Sequence, residues 1–394
     1  MRIKTLGLFF LVIVTAALAS GQAVTRCGGP NSGLYVNWPA LGFDACHTGY
    51  NPYEYRINST NVQNLVVAWQ YGPGTEPFNS PVLVNNVVYF EGTTNVYAVD
   101  AGTGALLWTY NTGSEVQNYP AVFNNVLYVG SGQSVYALDA KAGTLLWKYS
   151  TTGAFRTGAT VADGLVYIGS YGDSNWIIYA LDAKTGALRW QRTPGASSTP
   201  TVVNGLVYFG SGGDLYALNA VSGAVVWQVS GLGGISTDGV AVFNNIVYAN
   251  AGDLDALNAL TGAVLWTAQP QFGGNFQSSP VVGAGAVYVG AGATRQFPGP
   301  LVYSFDATNG SLLWTGLRGS YGATYELALA NGVLYASVGG DCCEGLLAFS
   351  SADGSLLWES QNTPGVSPII ANGTVYNPSW DSPYYLYAFH LPNQ

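Results

Sequence analysis

Residues 98–108 read Ala98-Val99-Asp100-Ala101-Gly102-Thr103-Gly104-Ala105-Leu106-Leu107-Trp108, and the same segment returns along the chain. It recurs as Ala137, Asp139, Gly143, Trp147, as Ala180, Asp182, Thr185, Gly186, Trp190, and as Ala217, Asn219, Gly223, Trp227. Ala256, Asn258, Thr261, Gly262, Trp266 follow, then two looser copies with Asp306, Asn309, Gly310, Trp314 and Ser350, Asp353, Gly354, Trp358. The period is about forty residues, the length of a propeller blade.

Around this segment each copy reads as strands. Pro81-Val-Leu-Val, the pair Asn85-Asn86 and Val87-Val-Tyr-Phe make a hairpin with an Asn-rich two-residue turn. Val96 to Asp100 is a third strand, a Thr-Gly turn follows, and Ala105 to Trp108 begins a fourth. A four-stranded sheet cannot bury both faces alone, so the blades must stack around an axis. Within the motif the Asp or Asn accepts hydrogen bonds from turn amides and the Gly permits a positive φ. Trp69, Trp108, Trp147, Trp190, Trp227, Trp266, Trp314 and Trp358 read as structural rings packed between neighbouring blades.

Seven copies fill residues 80 to about 363, and the two ends supply complementary remainders. The C-terminal segment gives Ser367-Pro-Ile-Ile, Gly373-Thr-Val-Tyr and Tyr385-Leu-Tyr-Ala-Phe but no Trp strand, and Leu65 to Trp69 is that strand. The expectation is an all-β, eight-bladed β-propeller of four-stranded antiparallel blades, with the last blade closed by both termini. Closure of this kind removes open sheet edges. In domain terms, residues 1–23 are a signal peptide and 24–394 a single propeller, with an N-terminal arm at 24–60 and a clasp strand at 61–69.

Composition agrees. Of 394 residues, 52 are Gly, 27 Tyr and 11 Trp, and only 8% are charged, which suits strands and tight turns rather than surface helices. The formal charge of −9 argues against nucleic acid as a partner, since phosphate binding needs a basic stripe. Arg2 and Lys4 precede an apolar run from Leu6 to Leu18 and then small residues near Ala19 and Ala23, the pattern of a leader peptide. An uncleaved anchor is the alternative. No later stretch is long enough to span a membrane.

Export implies an oxidising compartment. Four cysteines permit three pairings; the preferred one joins Cys27 to Cys46, with Cys342 and Cys343 a vicinal bridge or two free thiols.

The Trp motif resembles the tryptophan-docking repeat of pyrroloquinoline quinone (PQQ) dehydrogenase propellers. So does the arm, with Trp38-Pro, Gly42, Asp44, Thr48-Gly49-Tyr50-Asn51-Pro52, then Asn61-Val and Asn64-Leu. The same repeat builds the eight-bladed lipoprotein of the outer-membrane β-barrel assembly machinery. The resemblance therefore implies the fold, and either quinone-dependent oxidation of an alcohol or sugar or partner binding without catalysis.

A site is expected on the face where inner strands begin, at Ser80, Tyr119, Thr157, Thr199, Asp238, Ser279, Glu326 and Ser367. Asn79, Asn118, Arg156, Ser198, Thr237, Ser278 and Tyr325 lie beside them, and the long loops Gly169–Trp176, Gly290–Pro300, Gly339–Gly345 and Asn377–Tyr384 share that face. For a quinone enzyme, Arg156 and Asn118 are the candidate cofactor-binding residues. Asp238 and Glu326 are the candidate calcium ligands, since calcium takes several carboxylate and amide oxygens. His47 and His390 do not suggest histidine catalysis, and no Cys/His metal spacing, nucleophile elbow or phosphate loop occurs. The favoured reading is a monomeric, extracytoplasmic scaffold that binds a protein or glycan on the channel-mouth face. The alternative is a small PQQ- and calcium-dependent oxidoreductase.

Overall fold

The computed structural model describes residues 37–75, 79–116, 118–271, 275–293, 301–316, 322–339, 345–360, 363, 365–379 and 383–392. The expected leader, Cys27, Cys342 and Cys343 lie outside the described residues. Eight antiparallel blades form a ring. Blade 1 comprises Val82–Val84, Val87–Glu91, Asn95–Asp100 and Leu106–Asn111, hydrogen-bonded in that order from the channel outward. Blade 8 comprises Ile369–Ala371, Thr374–Pro378 and Leu386–His390, and its outer strand is Val66–Tyr71 from the other end of the chain. Val66 pairs with His390 and Tyr71 with Leu386, so both ends close the ring as expected.

Each inner hairpin turns on two residues of positive φ, as Asn85 (52°) and Asn86 (64°) do in blade 1. Both central residues are left-handed, which matches the twist of the flanking strands. The Asp–Gly turns form as read. Asp100 Oδ1 accepts from the Gly102 and Thr103 amides at 3.1 and 2.9 Å.

The tryptophan does more than fill space. Trp108 Nε1 donates to Ala140 O of blade 2 at 3.0 Å, and the equivalent bond links Trp69 to Ala101 and Trp227 to Ala259. The ring lies against the turn glycine of the next blade, so a Cβ on Gly143 would sit 2.6 Å from Trp108 Cδ2. That glycine is needed twice, for its φ of +68° and for the approach of the indole. Trp358 departs from the pattern, because blade 8 has no Asp–Gly turn; its ring meets Phe389 edge-on at 5.4 Å.

A register shift opposite Ala98 and Val99 leaves both Leu106 and Leu107 about half exposed, 46% and 51%. Such a bulge turns successive side chains to one side. The outer strands therefore carry exposed aliphatic pairs, as at Leu145–Leu146 and Val225–Val226. Leu107 lines a groove between blades 1 and 2.

Candidate functional site in the closed channel

The arm forms a floor across the channel. Leu83 of blade 1 exchanges two backbone bonds with Trp38, and the amides of Val122, Val202, Val242, Val282 and Leu329 donate to Pro39, Ala45, Cys46, Thr48 and Gly49. These are inner-strand residues of blades 2, 4, 5, 6 and 7. Asn51 Nδ2 reaches Ile370 O of blade 8 at 2.7 Å. The arm thus satisfies inner-edge amides that a sheet edge would otherwise leave open.

An arm side chain sits between the inner strands of blades 3 and 4. His47 lies buried with Nδ1 3.0 Å from Thr201 Oγ1 and Nε2 3.3 Å from Thr160 Oγ1. Each threonine hydroxyl also donates to a carbonyl, Val240 O and Pro200 O, both at 2.6 Å. Burial lowers the imidazole to about 3, so it is neutral and has a single N–H. Since both hydroxyl protons are committed, that one N–H donates to only one of the two threonines, and which one is set by the tautomer. Only blades 3 and 4 place a threonine at this register position. Blades 1, 2, 5 and 6 have Val82, Ala121, Ala241 and Val281.

Above the floor lies a cavity of about 20 Å³, room for about one water. Trp38, His47 and Gly49 line it from the arm, and Ser80, Asp238, Ser279, Glu326 and Ser367 from the blades. Asp238 of blade 5 and Glu326 of blade 7 hydrogen-bond each other, and the Tyr119 hydroxyl of blade 2 bonds to Asp238. Burial, then Asp238, raises Glu326 well above the carboxylic range, while the Ser279 and Leu327 amides pull the other way. Burial and the carboxylates of Asp238, Glu326 and Glu91 likewise raise the Tyr119 hydroxyl. Glu91 is 1% exposed and raised by burial, and it accepts from Asn79 Nδ2 at 3.1 Å and from the Asn118 amide.

The structure therefore brings Asp238 and Glu326 together, but it places Asn118 and Arg156 elsewhere. Asn118 is buried, and its Nδ2 donates to Gly130 O and Phe155 O at 3.0 and 3.2 Å. Arg156 is exposed, its amide bonded to Gly169 O, and it does not line the cavity. The expected rim shifts at two places. Register puts Gly158 and Gly239, not Thr157 and Asp238, level with Ser80. Thr157, Ser198 and Ser278 accept from the amides of Gly169, Gly210 and Gly290, so these hydroxyls tie inner strands to second strands.

The segment Gly169–Trp176 is not a loop. Leu165–Gly172 and Asn175–Asp182 are long strands joined by Asp173 and Ser174, both of positive φ, with Tyr171 and Trp176 paired at 5.1 Å. Sequence reasoning missed His47 and Glu91 as channel groups, while Tyr119 stands on the expected rim and bonds to Asp238. The signal for Glu91 was present: it replaces the glycine found at Gly130, Gly169 and Gly210 of the next blades.

A family model described as outer membrane protein assembly factor BamB matches residues 66–173, 92–231 and 250–379. No curated protein matches the chain. Among solved structures, quinohemoprotein alcohol dehydrogenase ADHIIG from Pseudomonas putida HK5 superposes with a TM-score of 0.74 at 16% identity, over 91% of this chain and 81% of that one. BamB from Moraxella catarrhalis gives 0.65 at 17%, over 83% and 99%. A computationally designed protein gives 0.64 at 18%, over 83% and 99%. An enzyme, an assembly factor and a designed chain share this architecture, so the likeness carries the fold alone.

Proposed function

The chain belongs to the family of outer membrane protein assembly factor BamB, built of PQQ-like repeats, and from that premise we propose that it is a non-enzymatic binding scaffold acting outside the cytoplasm. The observation that carries this reading is the floored channel with its cavity of about 20 Å³. Small-molecule sites run to about 300–1,000 Å³. A tricarboxylate quinone does not fit that space, and the lining among the described residues offers Asp238 and Glu326 but no Lys or Arg. Among the described residues no three His, Cys, Asp or Glu side chains converge as metal ligands.

Binding on the mouth face fits the projecting hairpin of blade 3, where Tyr171 is 45% exposed beside Trp176. A protein or glycan partner suits an aromatic rim of this kind. No helix among the described residues is long and apolar enough to cross a membrane. Export, a monomeric state and a Cys27–Cys46 bridge holding the arm belong to the same proposal. Reconstitution of the purified chain with PQQ and calcium tests it, and the reading requires that neither is taken up.

A further inference from the structure

The groove between blades 1 and 2 gives an internal reference for the one between blades 8 and 1, because the strand registers place equivalent residues in both. In the groove between blades 1 and 2, Leu107 and Val87 line a wall, and Asp100 pairs with Val87 in the strand register. At the junction of blades 8 and 1 the equivalent positions are Ala68, Thr374 and His390. An exposed leucine has become alanine, an apolar strand residue a hydroxyl, and the turn-capping acid an imidazole. The exchange has a structural licence, because the outer strand beside Leu386–His390 is Val66–Tyr71 from the other end of the chain, so no turn joins the two strands.

The arm adds a second wall to this groove. Tyr53, Tyr55 and Arg56 line it, leaving a cavity of about 290 Å³ on the face opposite the channel mouth. Glu54 fixes that wall. Its Oε1 accepts from the Arg56 and Ile57 amides at 2.7 and 3.2 Å, and its Oε2 from the Gly373 amide at 2.9 Å. The carboxylate is thereby spent on backbone. Arg56 Nη1 donates to Asn372 O at 3.2 Å, one of five N–H groups on its fork, and the guanidinium lies 5.9 Å from the Tyr55 ring centre. Tyr55 is 71% exposed, although its ring is large and apolar.

We infer that this clasp groove is a binding site for an acidic sugar, a pyranose bearing a carboxylate. An exposed aromatic face beside a planar cation offers ring stacking and a bidentate partner for the carboxylate. Thr374, Asn86 and His390 supply hydroxyl, amide and imidazole partners for the ring hydroxyls. The volume stands at the lower edge of small-molecule sites, about 300 Å³, which suits a ligand of one or two rings. The site is independent of whatever occupies the channel mouth.

The test is calorimetric titration of the full chain with D-galacturonate and with D-galactose. The expected result is saturable galacturonate binding with a Kd of about 1 mM and galactose at least about tenfold weaker. Arg56→Gln weakens galacturonate by about tenfold or more, Tyr55→Ala by about fivefold, and both keep the wild-type melting temperature, as exposed substitutions do. Glu326→Gln, in the channel, leaves the affinity unchanged. The assignment is overturned by no saturable binding up to tens of millimolar, by equal affinity for galactose, or by binding that survives both groove variants.

Discussion

Asp238 of blade 5 and Glu326 of blade 7 meet across the channel in a carboxyl–carboxyl hydrogen bond, with Glu326 holding its proton well above its ordinary range. Two acids so placed cannot both ionise without repulsion. Glu326 is buried while Asp238 is partly exposed at the mouth, and the contact makes stability depend on pH.

For Glu326 the native pKa lies above the unfolded value of about 4.5, so the folded state binds more protons over the interval between them. Its contribution is fully present below pH 4.5 and is lost as pH rises through the raised value. Glu326→Gln keeps the donor of the protonated acid. It should raise the unfolding free energy at pH 8 by about 1–3 kcal/mol and change little at pH 4.5. Urea melts at the two pH values check this, and a loss at pH 8 would show that the carboxylate is ionised and useful there.

His47 acts with the opposite sign. Its native pKa is lowered to about 3, so the unfolded state binds the extra proton as pH falls from 6.5. Its contribution is present above pH 6.5 and declines by about 1.4 kcal/mol per pH unit toward pH 3. His47→Gln should flatten the acid limb of the stability profile below pH 6. A profile unchanged by the substitution would mean that the imidazole is not sealed in the floor.

The indole–glycine contact predicts coupling between blades. Gly143→Ala adds a Cβ at 2.6 Å from Trp108 Cδ2 on a backbone of φ +68°. The expected cost is about 2–5 kcal/mol, from overpacking and left-handed strain together. In a Trp108→Ala background the steric part disappears, and a double-mutant cycle should return a coupling of about 1–3 kcal/mol. Additive costs would mean that the ring does not rest on the turn.

How much of this was legible in the sequence follows from which contacts are local. The Asp, Gly and Trp of each copy act within one turn and on the next blade, so repetition exposed the ring, its eight blades and the clasp of Val66–Tyr71 on Leu386–His390. The floor was not legible, because residues 38 to 51 follow no period; Trp38, Pro39, Ala45, Cys46, Thr48 and Gly49 bond six different blades through the backbone, which any side chain permits. Thr157 and Asp238 were placed one residue out for a related reason. The true register positions, Gly158 and Gly239, carry no side chain to mark them. Asn118 read as a rim amide, yet its partners are carbonyls of its own and the next blade.

The clasp makes a separate demand. Deleting the chain through Tyr71 removes the outer strand of blade 8 and exposes the Leu386–His390 edge. The truncated protein should melt at a lower temperature and associate in light scattering. A monomer with the wild-type melting temperature would contradict closure by both termini.

The most direct measurement concerns the channel. The full chain, equilibrated with micromolar PQQ and millimolar calcium and then gel-filtered, is read for co-eluting quinone absorbance and for dye-linked oxidation of an alcohol or glucose. A floored cavity of about 20 Å³ lined by Asp238 and Glu326 predicts neither signal. A stoichiometric quinone complex, lost on Arg156→Ala or on Asp238→Asn, would contradict the scaffold and establish an oxidoreductase in its place.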